Sequence, residues 1–496
     1  MNRPVNRVWR QRPVLQDFLF EPLFAVLDAH EHDGVRLGQA LSILDRWGER
    51  LDVPERRWIA HAAFAYPDFM SMGFRAVRGW WVVQAKGSSE TRELYSWGRG
   101  YVSDVNERHR VLVMPTFTSP DQRSPDQVKV AIAAYTTAMG SLGERPDPWT
   151  GPFSLDDTSV EADEVTVLAV GLNDGATREL WNGSPASAKA RYESLGRPAI
   201  AAVMGPAEAI PGHDCDECKR LDACETIPVL KGMLGVCDPR RPLREVSATS
   251  LRYYQDCPRK DRLARINLHG TSDETAATLT GRTVDARLNA LHDMPRDRGC
   301  SLDELRAPVS ALVGSDRIGS AELERARRLL AGHRYTCPWD SGCAVTGAQA
   351  QATIVAFDPD ASAIIKAKPD LLYREDGALV WRETATSGAP PRSGWNLFDS
   401  WKRIQLAIAL LLCEGGAFGA DTPVARVEVE YLTDRGPDIR YLECGNDSNI
   451  AAAREVLASV VPLWFNDDHF APSPGPACSR CPYQRWCPES IQGGGR

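Results

Sequence analysis

In the stretch "KPDLLYREDGALVWRETATSG", residues 368–388, Asp370 and Glu383 stand on either side of the turn "REDGA". The apolar runs flanking that turn read as a β-hairpin, so both carboxylates can face one divalent ion. Hard oxygen ligands of this kind suit Mg²⁺ or Mn²⁺. An ion held there would activate water and neutralise charge on a reacting phosphate. A lysine two residues beyond Glu383 would share its face of the strand, because side chains alternate with period two. It would orient the water or stabilise the transition state. That position is Ala385. A strand-end aspartate and a surface glutamate would produce the same short pattern, so its surroundings decide what it means.

Thiol chemistry is the second signal. Thirteen cysteines exceed what packing needs, and a reducing compartment disfavours disulfides, which leaves metal ligation as the first reading. Cys478, Cys481 and Cys487 form a C-x2-C-x5-C run, and Cys215, Cys218 and Cys224 form the same run in mid-chain. The parallel extends upstream. "VARVEVEYLTDRGPDIRYLECGNDSNIAAAREVLASV" precedes the late cluster as two strands and a helix, and "DEVTVLAVGLNDGATRELWNGSPASAKARYESL" precedes the early one in the same order. Before those, "KRIQLAIALLLCEG" matches "VKVAIAAYTTAMG" as an apolar helix, and each follows a hairpin ending in Thr-Ser. The chain therefore reads as one pattern written twice, divided at the proline-rich "GVCDPRRPLREV". The domains are residues 1–238 and 239–496, each α/β from its alternation of helices and strands. Cys237 can complete a local set with Cys215, Cys218 and Cys224, suited to zinc or to a second iron–sulfur cluster.

The second half opens with "VSATSLRYYQDCPRKDRLARI", in which Ser247 or Thr249 can cap a helix and Cys257-Pro258 ends its first part. This opening, the central hairpin and the late cysteine run together resemble the RecB-like PD-(D/E)xK nucleases with a four-cysteine iron–sulfur cluster, including CRISPR-associated and AddB-type members. The resemblance covers roughly residues 245 to 490. It implies two tandem restriction-endonuclease-like domains, each a mixed central sheet flanked by helices, the first a degenerate copy. It also implies that Cys257, Cys478, Cys481 and Cys487 hold a [4Fe–4S] cluster, although four thiolates equally suit a structural zinc. Such a cluster would staple the first helix of the domain to its last segment. Where the family usually has a histidine on the helix before the hairpin, "GRTVDARL" offers Asp285, a third carboxylate for the metal. His292, seven residues on, shares that helical face. Gln405 in "QLAIALL" matches the glutamine of a family "Q-x-x-x-Y" helix and would orient substrate or water, with Ala409 where tyrosine is usual.

The first half has lost these groups. Aligned on its Thr118-Ser119, Pro115 falls opposite Glu383, Phe117 opposite Ala385, and Gly98 or Arg99 near Asp370. Its Trp80, Trp81, Tyr95, Trp97 and Tyr101 are either stacking platforms for bases or core. Cys337 and Cys343 read as a further ligating or reactive pair, and Cys300, Cys413 and Cys444 as ordinary packing or surface thiols.

A net charge of −8 excludes indiscriminate coating of nucleic acid. Any groove for DNA must then be local, built from Arg252, Arg259, Lys260, Arg262 and Arg265 near the opening helix and from Lys366, Lys368, Arg392, Lys402 and Arg403 near the hairpin. No apolar run reaches the roughly 18 to 20 residues that span a bilayer, and the N-terminus lacks a signal-peptide core, so a cytoplasmic protein is expected. The expected function is a metal-dependent DNA nuclease in repair or anti-phage defence, inactive as written because of Ala385. The alternative is a catalytically silent nuclease fold that binds nucleic acid or scaffolds a helicase or defence complex. With no Walker A pattern in the chain, any helicase or ATPase would be a separate partner.

Overall fold

The protein is seen here as a computed structural model that describes residues 20–490, apart from 87–90, 123, 146–151, 157–159, 206–208, 219, 267, 269, 271–274, 308–318, 393–395, 401 and 420–421. The N-terminal stretch read above for a signal peptide, residues 1–19, lies outside the described residues.

Two helices, α1 (Phe20–Glu31) and α2 (Val53–Ala65), lead into the first sheets. Asp52 and Glu55 close a capping box at the start of α2, with Pro54 in its first turn where no amide hydrogen is needed. Strands β1 (Phe74–Val77), β2 (Trp80–Lys86), β3 (Thr91–Tyr95), β4 (Arg99–Ser103) and β5 (His109–Thr116) follow, then helix α3 (Gln127–Met139). After it come β6 (Ser141–Glu144), β7 (Ser154–Leu155), β8 (Glu164–Gly171) and β9 (Thr177–Gly183). The main sheet has the order β1-β4-β5-β8-β9, and a smaller one runs β3-β2-β6-β7.

The second half begins with β10 (Arg244–Ser247), helices α4 (Ala248–Asp256), α5 (Pro258–Arg265), α6 (Ala276–His292) and α7 (Ser320–His333). Strands β11 (Val345–Ala350), β12 (Ile354–Asp358), β13 (Ala363–Ala367), β14 (Leu371–Glu375) and β15 (Ala378–Ser387) precede helix α8 (Arg403–Glu414). Strands β16 (Val424–Thr433) and β17 (Gly436–Glu443) and helix α9 (Asp447–Ala458) follow, ahead of a short helix, Val461–Asn466, and the late cysteine run. The main sheet is β11-β14-β15-β16-β17, with a smaller sheet β10-β13-β12 beside it.

The two main sheets share not only their order but their directions. Reading across each, the pairs are antiparallel, antiparallel, parallel and antiparallel. The parallel pair is the informative one, because parallel neighbours need a crossover, and α3 and α8 supply it in the same place. Helix α8, "RIQLAIALLLCE", is buried on nearly all sides, as an apolar helix without a polar face must be. Strand β15 is buried from Leu379 to Ala385 on both faces, so Arg382, Glu383 and Thr384 are buried polar groups within it.

The cores interlock. Leu263, Ile266, Leu268, Tyr483 and Trp486 of the second half pack with α1, α2 and the first sheet. Conversely, Leu230 and Leu234 belong to the second half's core, and Asp358 accepts bonds from the amides of Gly232 (3.0 Å) and Leu234 (2.9 Å). The packing thus changes over ahead of residue 238. Tyr101 and Trp81 are buried, and Trp97 packs against the first half's core, so these aromatics serve packing rather than base stacking.

Candidate active site

Asp370 immediately precedes β14, and Glu383 lies mid-way along β15, where Leu371 pairs with Arg382. The hairpin brings the carboxylates together as its spacing requires. Asp370 Oδ2 accepts a bond from the Thr384 amide at 2.7 Å, which folds it onto the strand carrying Glu383. Its Oδ1 accepts from Gln351 Nε2 at 2.9 Å. Gln351 has φ of 54°, a left-handed conformation that non-glycine residues rarely adopt.

Trp381, Glu383 and Ala385 alternate onto one face of β15 and meet α8. Glu383 is fully buried, yet each of its oxygens is engaged. Trp381 Nε1 donates to Oε1 at 2.8 Å, and Gln405 Nε2 donates to Oε2 at 2.6 Å. The remaining partner is Lys402, just ahead of α8, whose Nζ lies 2.9 Å from Glu383 Oε2 and 3.6 Å from Asp370 Oδ2. Sequence reading counts Lys402 only as a flanking base and expects a site without a lysine. In the structure an ammonium stands beside both carboxylates, carried by the residue that caps the start of the crossover helix instead of by the strand. Lys402 precedes Gln405 by three residues and so shares its helical face, but that face meets the carboxylates only through the crossover. Gln351 and Trp381 had no such signal. Ala385 is 6% exposed and packed in the core.

Asp285 completes the group from α6, which packs on β15. Burial raises its pKa to about 7, and the charge of Asp370 adds to the effect while Lys402 opposes it. Burial also raises Glu383 to about 7, with Lys402 pulling down and Asp370 pushing up. Burial works against the Lys402 ammonium, but Glu383, Asp370 and Asp285 hold its pKa above the usual range. Two carboxylates pair with one ammonium and Asp285 lies within its field, and the hard oxygens of such a set fit Mg²⁺ or Mn²⁺.

Beside the site opens a cleft of about 450 Å³ lined by Ser247, Ala248 and Thr249 at the start of α4, by Lys366 and Lys368, and by Gln405. Most of the anticipated basic groove is otherwise engaged. Arg259 and Arg262 pair with Asp52 of the first half, Arg265 with Asp261, Lys260 with Asp256, and Lys366 with Asp216 and Glu245. These charges join segments of the protein to one another, while Lys368 is exposed at the cleft.

Cys257, Cys478, Cys481 and Cys487 line a single small cavity. Amides point at two of the sulfurs, from Ser473 to Cys257 Sγ at 3.3 Å and from Gly475 to Cys478 Sγ at 3.4 Å. The early run repeats this detail, with the Gly212 amide 3.1 Å from Cys215 Sγ. Cys215 and Cys224 pack against Val355, Phe357 and Ile364, whereas Cys218 and Cys237 are exposed. His292 does not join Asp285 at the carboxylates; it is buried against Cys300, His333 and Cys337. Cys337 accordingly sits with Cys300 and not with Cys343. Cys413 and Cys444 are buried.

A hairpin bearing Asp and Glu, a parallel crossover through a helix bearing Lys and Gln, and a third carboxylate from a preceding helix define a nuclease-type fold. Residues 245–488 match the family model of the PD-(D/E)XK nuclease superfamily, and this half of the chain is a domain of that superfamily. Among solved structures, a candidate exonuclease from Eubacterium rectale is similar at 15% identity and a TM-score of 0.30, covering 46% of this chain and 84% of its own. The protein SSO0001 is similar at 16% identity and a TM-score of 0.25, covering 50% and 88%. No curated protein matches in sequence. Among the described residues no helix is long and apolar enough to cross a membrane.

Proposed function

We propose that the chain is a divalent-metal-dependent deoxyribonuclease, acting in DNA repair or in defence against foreign DNA, with Lys402 in the role that Ala385 leaves vacant. The observation that carries this reading is the Lys402 ammonium held 2.9 Å from Glu383 and 3.6 Å from Asp370. Asp370, Glu383 and Asp285 would hold Mg²⁺ or Mn²⁺, which supplies Lewis acidity and an activated water when bound. The protein's own groups then divide the work. Gln351 fixes the Asp370 carboxylate, and Trp381 and Gln405 fix that of Glu383, so the donor set needs little reorganisation. Lys402 Nζ keeps its proton and directs a charged donor to where negative charge grows on the phosphate. A neighbouring phosphate fits the cleft at the amides of Ala248 and Thr249, where the start of α4 favours an anion, with Lys368 beside it.

Under the same proposal Cys257, Cys478, Cys481 and Cys487 hold a [4Fe–4S] cluster. A cubane puts each thiolate on a different iron, so its ligands need not converge as closely as those of one zinc ion. Cys215, Cys218, Cys224 and Cys237 would hold a second cluster or zinc. The first half, residues 1–238, is then a copy without counterparts of Asp370 and Glu383 that braces the cluster through α1 and α2 and offers a surface to a helicase or other partner.

One observation favours a second reading. Lys402 is 6% exposed and neutralises both carboxylates, so it would equally suit a site in which a lysine has taken the place of the metal, leaving a silent nucleic-acid-binding subunit. Incubating the full chain with single- and double-stranded DNA in Mg²⁺ or Mn²⁺ separates the two. Cleavage that Asp370→Ala abolishes supports the enzyme. Failure to cleave, together with failure to bind either ion, supports the silent subunit.

A further inference from the structure

Away from the carboxylates, where α6 and α7 end, four side chains of metal-ligating type meet inside the second half. His292, Cys300, His333 and Cys337 are all buried, and their ligand atoms all lie within 4.8 Å of one another. Cys300 Sγ is 3.8 Å from His292 Nε2. A tetrahedral zinc with Zn–S near 2.3 Å and Zn–N near 2.0–2.1 Å sets its sulfur and nitrogen ligands about 3.5 Å apart. The match is within the small adjustment that binding makes.

His333 supplies the independent observation. Its Nδ1 lies 2.7 Å from Glu430 Oε1 on β16, while its Nε2 is buried with no hydrogen-bond partner. An imidazole bonded through one nitrogen to a carboxylate, with the other aimed at two thiols and a second imidazole, is how a protein orients a histidine for a metal. A buried, unsatisfied ring nitrogen is otherwise costly. The outer groups complete the case. Arg296 Nη1 lies 2.9 Å from Cys300 Sγ, and the Cys300 amide lies 3.4 Å from Cys337 Sγ, so donors already point at both sulfurs.

We infer that His292, Cys300, His333 and Cys337 form a structural zinc site, H-x7-C followed by H-x3-C, separate from the carboxylate centre and from both cysteine runs. Both thiols bind as thiolates and release their protons, and both imidazoles bind neutral through Nε2. Two thiolates cancel the charge of Zn²⁺, which suits a fully buried position, and nitrogen–sulfur tetrahedral sets select zinc over harder ions. The ion would clamp the ends of α6 and α7 to each other and, through Glu430, to β16. His292 follows Asp285 by seven residues, roughly 10 Å along the helix, so the clamp fixes the helix that presents the third carboxylate.

Metal analysis of the full chain tests the site. Cys337→Ser and Cys300→Ser should each remove one equivalent of zinc per chain. That equivalent should persist in Cys215→Ser and Cys481→Ser, which disturb the other thiol sets. Cobalt-loaded protein should show a thiolate charge-transfer band that is weaker in the first two variants by the contribution of one site. Unchanged zinc in soluble Cys337→Ser would overturn the inference. Should that variant fail to accumulate, the unaltered chain still decides. Chelation followed by alkylation should label Cys300 and Cys337 together as one equivalent of zinc leaves. Zinc release with neither thiol labelled would overturn the site.

Discussion

Replacing Lys402 by methionine separates the enzyme from the silent subunit, because the two readings give opposite signs. Methionine keeps the unbranched stem and removes the charge. In the parent, an ammonium 2.9 Å from one carboxylate and 3.6 Å from another gains on the order of 6 kcal/mol from the nearer contact at an effective dielectric of 20, before desolvation is set against it. Removing one partner of a buried pair costs roughly 3–5 kcal/mol when the other stays charged. Glu383 need not stay charged. Its pKa is already about 7, and without Lys402 it rises further, so at pH 6 it takes up a proton and the loss shrinks. Thermal melts without added divalent ion should therefore show a drop in Tm for Lys402→Met that grows from pH 6 to pH 8. If Lys402 stabilises the transition state, DNA cleavage falls by about 10²–10³-fold, the cost of losing one preorganised donor, while Mg²⁺ binding, followed by calorimetry, is kept or strengthened. Cleavage equal to or faster than the parent's at saturating Mg²⁺ would refute the catalytic role and identify Lys402 as a plug.

The alanine on β15 offers a rescue. Ala385 lies two residues beyond Glu383, about 7 Å along the same face, so Ala385→Lys in the Lys402→Met background should restore at least a tenth of parental cleavage in the same DNA assay. In the parent background, Ala385→Lys forces a second ammonium into a packed core position and should lower Tm and soluble yield. The pH dependence of metal binding follows from Asp285 and Glu383, both raised to about 7. A raised carboxylate favours the metal-free fold below its unfolded pKa near 4, and that contribution is lost as pH rises through 7. Binding needs the ionised forms, so the Tm increase produced by Mg²⁺ should widen from pH 5.5 to pH 8; an increase independent of pH would exclude these carboxylates as ligands. Anaerobically purified protein should be brown, and Cys257→Ala should lower the iron content by about four per chain; zinc with no iron at that site would answer the cluster proposal in the negative.

What the sequence made legible was local. The hairpin "KPDLLYREDGALVWRETATSG" fixed Asp370 and Glu383, since a turn and period-two alternation leave a strand pair few ways to fold. The matching order and directions of the two main sheets accompany four weakly similar segments in the sequence. What stayed hidden depended on which elements meet. Lys402 enters the site only because a parallel pair demands a crossover and α8 returns across the face of β15 that bears Glu383. Gln351 reaches Asp370 through one left-handed residue at the end of β11, which no periodicity announces. The four ligands of the inferred zinc site come from the ends of two helices and the loops that follow, and their spacing matched no compact motif. Under the proposed function, the same reasoning allows the lysine to come from another position. A catalytic ammonium is defined by where its nitrogen lies and not by the strand position that carries it, and a long, unbranched stem on a helix next to the carboxylates reaches the same point. Once α8 supplies the charge, a second lysine at 385 would face Lys402 across a buried pocket, and alanine is the residue that packs there.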